Sequence, residues 1–182
     1  GPFHTAGSPW MTSPADLVRD NPGTVVRLLG EVRGAAGEPL AGAEVDFWQN
    51  AANGLYWQVD AAQPTDNLRC RLRTDAQGRF EIRTIRPVPY QIPTDGPVWH
   101  DLVGPAGRGA WRPAHFHLIV SATGHRTLVT ELFDAEDPYL DQDAVFGVRE
   151  ALVGRYEARE DGLAMGVRFR LAAAPGLQAE TS

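Results

Sequence analysis

Short runs of β-branched, aliphatic and aromatic residues, cut at close intervals by glycine and proline, limit what this chain can fold into. Residues 25–32, 44–48, 68–73, 79–85, 115–122, 127–133 and 166–171 read as strands on that composition. Between them, Gly34-Ala35-Ala36-Gly37-Glu38-Pro39, Asp75-Ala76-Gln77-Gly78 and Thr123-Gly124-His125 are turn chemistry. Arg69-Cys70-Arg71-Leu72-Arg73 and Arg79-Phe80-Glu81-Ile82-Arg83 alternate polar with apolar, so each has one wet face and one buried face. Strands at this spacing imply an all-β fold, an antiparallel β-sandwich with little helix. Only residues 141–154 leave room for a short helix or irregular chain. From Pro87 to Pro113 runs a long Pro/Gly-rich excursion, and loops of that length are usually functional. The tail after Leu171 reads as loose.

At 182 residues the chain is expected to form a single domain over 1–182, burying about two thirds of its unfolded surface. A net charge of −6 gives no basic patch for nucleic acid. No segment is apolar over the eighteen or so residues that a membrane helix needs, and the N-terminus lacks the basic start and apolar core of a signal peptide. The one cysteine, Cys70, leaves no internal disulfide framework and fits a reducing cytoplasm. All 17 basic residues are arginine, which reads as composition bias rather than mechanism.

On this scaffold Tyr56, Tyr90, His115 and His117 carry the most chemistry. If 115–122 is a strand, both imidazoles point to one side, about 7 Å apart at their Cβ atoms, a spacing that lets two histidines close on one metal. Tyr56 ends Asn53-Gly54-Leu55-Tyr56 and Tyr90 ends Arg86-Pro87-Val88-Pro89-Tyr90, turn-like settings in which a backbone bend aims a phenol inward. A phenol of pKa about 10 ligates as an anion at neutral pH only to a strongly Lewis-acidic ion, and ferric iron meets that demand. The alternative for the histidines is a polar strand face. For the tyrosines it is a half-buried ring with a wet hydroxyl.

The flanking motifs are Gly42-Ala43-Glu44-Val45-Asp46-Phe47-Trp48-Gln49-Asn50, Gly54-Leu55-Tyr56, Leu68-Arg69-Cys70-Arg71-Leu72-Arg73-Thr74-Asp75 and Pro89-Tyr90-Gln91-Ile92-Pro93-Thr94-Asp95-Gly96-Pro97-Val98. Further along come Trp111-Arg112-Pro113-Ala114-His115-Phe116-His117, Asp137-Pro138-Tyr139-Leu140 and Asp143-Ala144-Val145-Phe146-Gly147-Val148. In this order and with family-like gaps, over about residues 1–155, they resemble the intradiol ring-cleaving dioxygenases. The Ile-Pro-Thr-Asp-Gly-Pro-Val segment is most like hydroxyquinol and chlorocatechol 1,2-dioxygenases.

The resemblance implies Fe(3+) held by Tyr56, Tyr90, His115 and His117, and a small aromatic diol cleaved with O2. Tyr90 would be the axial ligand that leaves the metal and takes a substrate proton, and Arg112 the cation that stabilises developing negative charge. Pro2, Phe3, Ala144, Val145 and Phe146 match positions that wall the substrate pocket, with core packing the other reading for each. Glu131 stands where relatives carry Gln or His. A carboxylate there is expected either to pair with Arg112 or to enter the site protonated. The usual dimer-forming helical segment is not in this sequence, so a family-type helical dimer is not expected, the oligomeric state stays open, and the pocket is expected to be open near Pro2 and Phe3.

Two other readings compete. Gly37 to Val45 followed by Thr74-Asp75 and Gly78-Arg79-Phe80 also suits a non-catalytic transthyretin-like binding module, which would lack the Tyr/Tyr/His-x-His set. A zinc or ferrous enzyme using only the His-x-His would need an acidic third ligand and leave Tyr90 without a role.

Overall fold

The structure, a computed structural model, describes residues 2–107 and 109–175. Its strands are β1 (Ala15–Asp16), β2 (Val25–Gly34), β3 (Glu44–Trp48), β4 (Arg69–Arg73), β5 (Arg79–Ile85) and β6 (Tyr90–Gln91). They continue with β7 (Trp111–Arg112), β8 (His115–Ser121), β9 (Leu128–Asp134), β10 (Val153–Gly154), β11 (Tyr156–Arg159) and β12 (Gly162–Leu171). One sheet has the order β1-β5-β2-β12-β11, the other β10-β9-β8-β3-β4, and β6 pairs with β7 apart from both. Helix is confined to single turns at Trp57–Val59, Val98–Val103, Leu140–Gln142 and Glu150–Leu152 among the described residues, and none is long and apolar enough to cross a membrane.

Strands β2 and β5 bury alternate residues because their side chains alternate between faces. In β2, Val26, Leu28 and Val32 face inward while Arg27, Leu29, Glu31 and Arg33 stay partly wet. They meet Val45 and Phe47 of β3, Cys70 and Leu72 of β4, and Phe116, Leu118 and Val120 of β8, with Ile82, Met165 and Phe169 filling between. Each fully buried aliphatic or aromatic chain contributes about 1.5–3 kcal/mol, so this layer holds the two sheets together. Gly30 is part of the fit: a Cβ there would lie 2.1 Å from the Phe80 ring, which stacks in turn on Phe169. Gly30→Ala is therefore expected to lower stability by about 1–3 kcal/mol through overpacking, measured by urea unfolding.

The sandwich has mixed rather than wholly antiparallel sheets. The last strand, β12, runs parallel to β2 from Leu163 opposite Val26 to Leu171 opposite Gly34, and β1 with β5 and β10 with β9 are short parallel pairs. The beginning of the tail is tied down: Arg126 N–H donates to Ala172 O and Ala174 N–H to Gly124 O, so residues 172–174 are not loose. Residues 176–182 of the expected loose tail lie outside the described residues. The excursion from Pro87 to Pro113 carries β6, the Val98–Val103 turn and β7, and its start is anchored by Asn50 Nδ2 donating to Val88 O.

Candidate metal centre

Strand β8 is buried on both faces. Phe116, Leu118 and Val120 enter the core, while His115 and His117 point to the outer face of the sheet beneath the loops. The register sets Trp48 opposite His117 on one side and Glu131 opposite it on the other, with Arg69 opposite Trp48. The indole of Trp48 stacks on the His117 ring at 4.8 Å and fixes its plane.

The imidazoles present two nitrogens to one point, with Nε2 of His115 3.1 Å from Nε2 of His117. His115 Nδ1 lies 2.6 Å from Pro113 O, and His117 Nδ1 lies 3.3 Å from Glu131 Oε1. Pro113 O calls for a proton on His115 Nδ1, and the Glu131 carboxylate favours one on His117 Nδ1, the tautomer that turns each neutral ring's lone pair toward Nε2. Burial, then the Arg112 charge, lowers the His115 pKa to about 4; burial and the neighbouring His115 push His117 well below its ordinary value. Two facing lone pairs repel unless a cation sits beside both. Two bonds of about 2.1 Å at a right angle would separate the nitrogens by about 3 Å, close to the spacing found.

The tyrosines arrive from loops. Gly54, at φ 80°, makes a left-handed turn that L side chains rarely adopt, closed by Gly54 N–H to Ala51 O, and the chain emerges with Tyr56 buried. Tyr90 is positioned by the β6–β7 ladder, in which it lies opposite Arg112. The Tyr56 ring is 5.7 Å from Tyr90 and 6.2 Å from His117, and Tyr90 is 5.8 Å from His115, so the four rings converge. The Tyr56 hydroxyl is buried beside Tyr90 without a well-formed hydrogen bond. Burial, then the nearby Tyr90, drives its pKa well above 10; burial also raises that of Tyr90, against the pull of Arg112. An orphaned buried phenol, a second phenol and two imidazole lone pairs form a donor set suited to a hard, highly charged metal ion. His115, His117 and Glu131 alone bring three donor atoms within 4.8 Å of one another.

Arg112 is buried at the back of this group. Its Nη1 donates to Glu131 Oε1 at 3.0 Å and lies 3.2 Å from His115 Nε2, and its Nη2 donates to Glu131 Oε2 at 2.7 Å. Its Nε donates to Asp143 Oδ1 at 3.1 Å. Of the two expectations for Glu131, the structure has the ion pair. Burial alone would weaken the Arg112 cation, but the carboxylates on both sides raise its pKa. Burial likewise works against Asp143 as an anion, and Arg112 with the N–H groups of Gly147 and Val145 holds its pKa below normal.

The other candidate positions divide. Phe3 lies flat on Tyr56, ring centres 4.1 Å apart, and its carbonyl accepts from Gln58 Nε2 and Arg69 Nη2, so the Phe3 side of the site is covered at Tyr56. Pro2 is exposed. Ala144 is buried and donates its N–H to Trp111 O, while Val145 and Phe146 are about half exposed. The Trp111 ring stacks on Tyr139 at 4.6 Å. His4 pairs with Asp46 at 3.0 Å, and His100 is exposed. Cys70 is in the core, where burial pushes its thiol up to about 12 and leaves it unreactive. Asp143, Asp137 and Trp48 occur in the quoted motifs, but sequence reasoning gave them no role. Asp137 accepts the Ala114 N–H at 2.8 Å, next to His115. The hairpin turn at Gly124 was a usable signal for Glu131, since counting outward from it sets 131 opposite 117.

The chain is similar to known proteins over most of its length. A family model described as Dioxygenase matches residues 1–175. The chain is 44% identical over 162 residues to the hydroxyquinol 1,2-dioxygenase of Rhizobium sp. (strain MTP-10005), covering 88% of this chain and 55% of that protein. It is 35% identical over 164 residues to an intradiol ring-cleavage dioxygenase of Aspergillus niger, covering 88% of this chain and 52% of the relative. The crystal structure of hydroxyquinol 1,2-dioxygenase from Pseudomonas putida DLL-E4 superposes with a TM-score of 0.88 at 41% identity, over 96% of this chain and 65% of that one. The chain thus spans little more than half the length of these curated relatives. A family match over almost the entire described chain, joined to relatives of this identity, means that the chain belongs to the intradiol ring-cleaving dioxygenase family.

Proposed function

We propose that this chain forms the catalytic part of a non-haem Fe(3+) dioxygenase that opens a catechol or hydroxyquinol ring between its two hydroxyl-bearing carbons. With O2 as co-substrate the product is a muconate- or maleylacetate-type diacid. The observation that carries this reading is the convergence of Tyr56, Tyr90, His115 and His117 around two Nε2 atoms 3.1 Å apart. The names of the relatives support the substrate class, hydroxyquinol foremost.

Those four side chains would hold the iron. Bound there, Fe(3+) would supply the Lewis acidity that keeps phenolates and a chelated diol deprotonated at neutral pH and makes the diol reactive toward O2. Trp48 and Glu131 keep His117 in plane and in the right tautomer, and Pro113 O does the same for His115. Tyr90 is less buried than Tyr56 and sits on a two-residue strand at the loop margin, so it is the phenol free to swing away and accept a substrate proton. Arg112, held on both sides, faces the site as a fixed cation where negative charge grows on the ring. Ala144, Val145 and Phe146 would wall the substrate, with Phe3 against Tyr56 and Pro2 at the rim. The unpaired Cys70 accords with a cytoplasmic enzyme.

One observation favours a second reading: His115, His117 and Glu131 could hold zinc or ferrous iron without a tyrosine. The visible spectrum separates the two. The iron-loaded protein is expected to be coloured by a phenolate-to-Fe(3+) charge-transfer band, and to consume one O2 per diol opened. A colourless metal-loaded protein that opens no diol would sink the proposal. No transthyretin-like module need be invoked, because the comparisons return dioxygenases and the donor set is assembled.

A further inference from the structure

We infer that Glu131 is a positioning residue that locks the cation at Arg112 and the metal-facing ring of His117 to each other. The inference rests on the proposed metal site, but its argument lies in this chain's own contacts. One carboxylate serves both partners. Oε1 accepts from Arg112 Nη1 at 3.0 Å and faces His117 Nδ1 at 3.3 Å, while Oε2 accepts from Arg112 Nη2 at 2.7 Å. The pair with Arg112 is bidentate, so it fixes the plane of the guanidinium as well as its position.

The surroundings leave the carboxylate little freedom. Glu131 sits directly opposite His117 in the β8–β9 ladder, so its backbone is fixed relative to the ring that it orients. From the other side, Asp143 takes the Arg112 Nε and the N–H of Gly147, drawing the 143–147 turn over the group. A Cβ on Gly147 would lie 3.0 Å from Asp143 Oδ2, 3.1 Å from Glu131 Oε2 and 3.2 Å from Arg112 Nη2. A side chain at 147 would push these three charged groups back by a few tenths of an ångström, so glycine suits the close approach of the turn. The trio Glu131, Arg112 and Asp143 carries two negative charges and one positive, so this wall of the site is anionic where a neutral residue at 131 would leave it balanced.

Two substitutions separate the two contacts. Gln in Glu131→Gln can still accept from His117 Nδ1 through its carbonyl, but its amide replaces one acceptor of the Arg112 fork. Alanine removes both contacts. In Glu131→Gln we expect iron content and the charge-transfer band to persist, while kcat falls about tenfold with KM changed less than threefold. In Glu131→Ala we expect iron to leave for a competing chelator at least tenfold faster than from wild type, with the band displaced, because His117 loses its orienting acceptor. Unfolding curves of the metal-stripped variants identify any loss due to misfolding, and Glu131→Gln, being isosteric, stands if Glu131→Ala does not fold. Chelator-driven metal loss needs no turnover, so it reads the inference even if no diol proves to be a substrate. Wild-type kcat and wild-type iron retention in both variants would overturn the inference. Complete loss of iron from Glu131→Gln, as from a missing ligand, would overturn it equally, by making Glu131 a donor to the metal.

Discussion

Arg112→Ala is expected to lower kcat by about a hundredfold or more and to weaken the fold in the same stroke. The catalytic loss follows from the proposed role, since removing one preorganised group that stabilises transition-state charge in a water-excluded site commonly costs that much. The structural loss follows from what the guanidinium holds. Its side chain is 6% exposed, the carboxylate of Asp143 beside it 2% and that of Glu131 22%. Truncation takes the guanidinium from the buried Asp143, which keeps the N–H groups of Val145 and Gly147, and breaking a buried pair from one side destabilises by up to about 3–5 kcal/mol. Glu131, being partly wet, adds less. Arg112→Lys separates the two effects: a lysine restores one positive charge but cannot donate to Glu131 and Asp143 as a fork. Its stability should recover more than its kcat. The checks are saturating turnover with hydroxyquinol and urea unfolding, read beside iron content. An Arg112→Ala protein with wild-type kcat would remove Arg112 from the chemistry, whatever its stability.

How much of this could be read in the chain depends on how local each feature is. The faces of His115 and His117 follow from alternation along a single strand, so the pair was legible from three residues. The two tyrosines were legible as candidates, because Gly54 and the Pro-Val-Pro run before Tyr90 announce bends, but residue order alone could not show four rings meeting. The strands of the core were found nearly at their true bounds for the same local reason, within a residue or two at most ends and somewhat short in β2 and β12. The parallel pairing of β12 with β2 was missed. It joins Arg168 to Glu31, 137 positions apart, and no local pattern encodes such a partner. Short strands such as β6 and β7 escaped because two residues carry no periodicity; the ladder pairs Tyr90 with Arg112 only after the long loop has closed. Asp143 was visible in its motif but not its task, which exists only where its turn meets Arg112. Glu131 was left between two readings because its charge state depends on whether a cation stands within reach, a fact of tertiary approach.

The sharpest discrimination between a metal-binding phenol and a merely buried one comes from Tyr56 and Tyr90 compared as phenylalanines. The Tyr56 hydroxyl is buried without a well-formed hydrogen bond, and burial holds it as a neutral phenol with its pKa far above 10. A buried polar group that lacks its partner costs about 1–3 kcal/mol. In the metal-stripped protein, Tyr56→Phe should therefore be at least as stable as wild type and up to that much more stable. In the iron-loaded protein the sign should reverse, because the variant has lost an anionic donor: iron should bind more weakly and the charge-transfer band should lose intensity. Tyr90→Phe should behave differently. Its phenol is less deeply buried and lies near the Arg112 charge, which works against the effect of burial, so its loss should bring little gain in the stripped protein. Three of the four proposed donors remain, so iron should stay, while turnover should fall steeply because the proton acceptor for the diol is gone. Paired urea titrations with and without iron, together with spectra and O2 uptake, measure all four quantities. If Tyr56→Phe were less stable by more than about 1 kcal/mol in the stripped protein, the hydroxyl would have a structural partner. A Tyr90→Phe enzyme turning over at the wild-type rate would reassign the base, since no other half-buried phenol stands beside both His115 and Arg112 among the described residues.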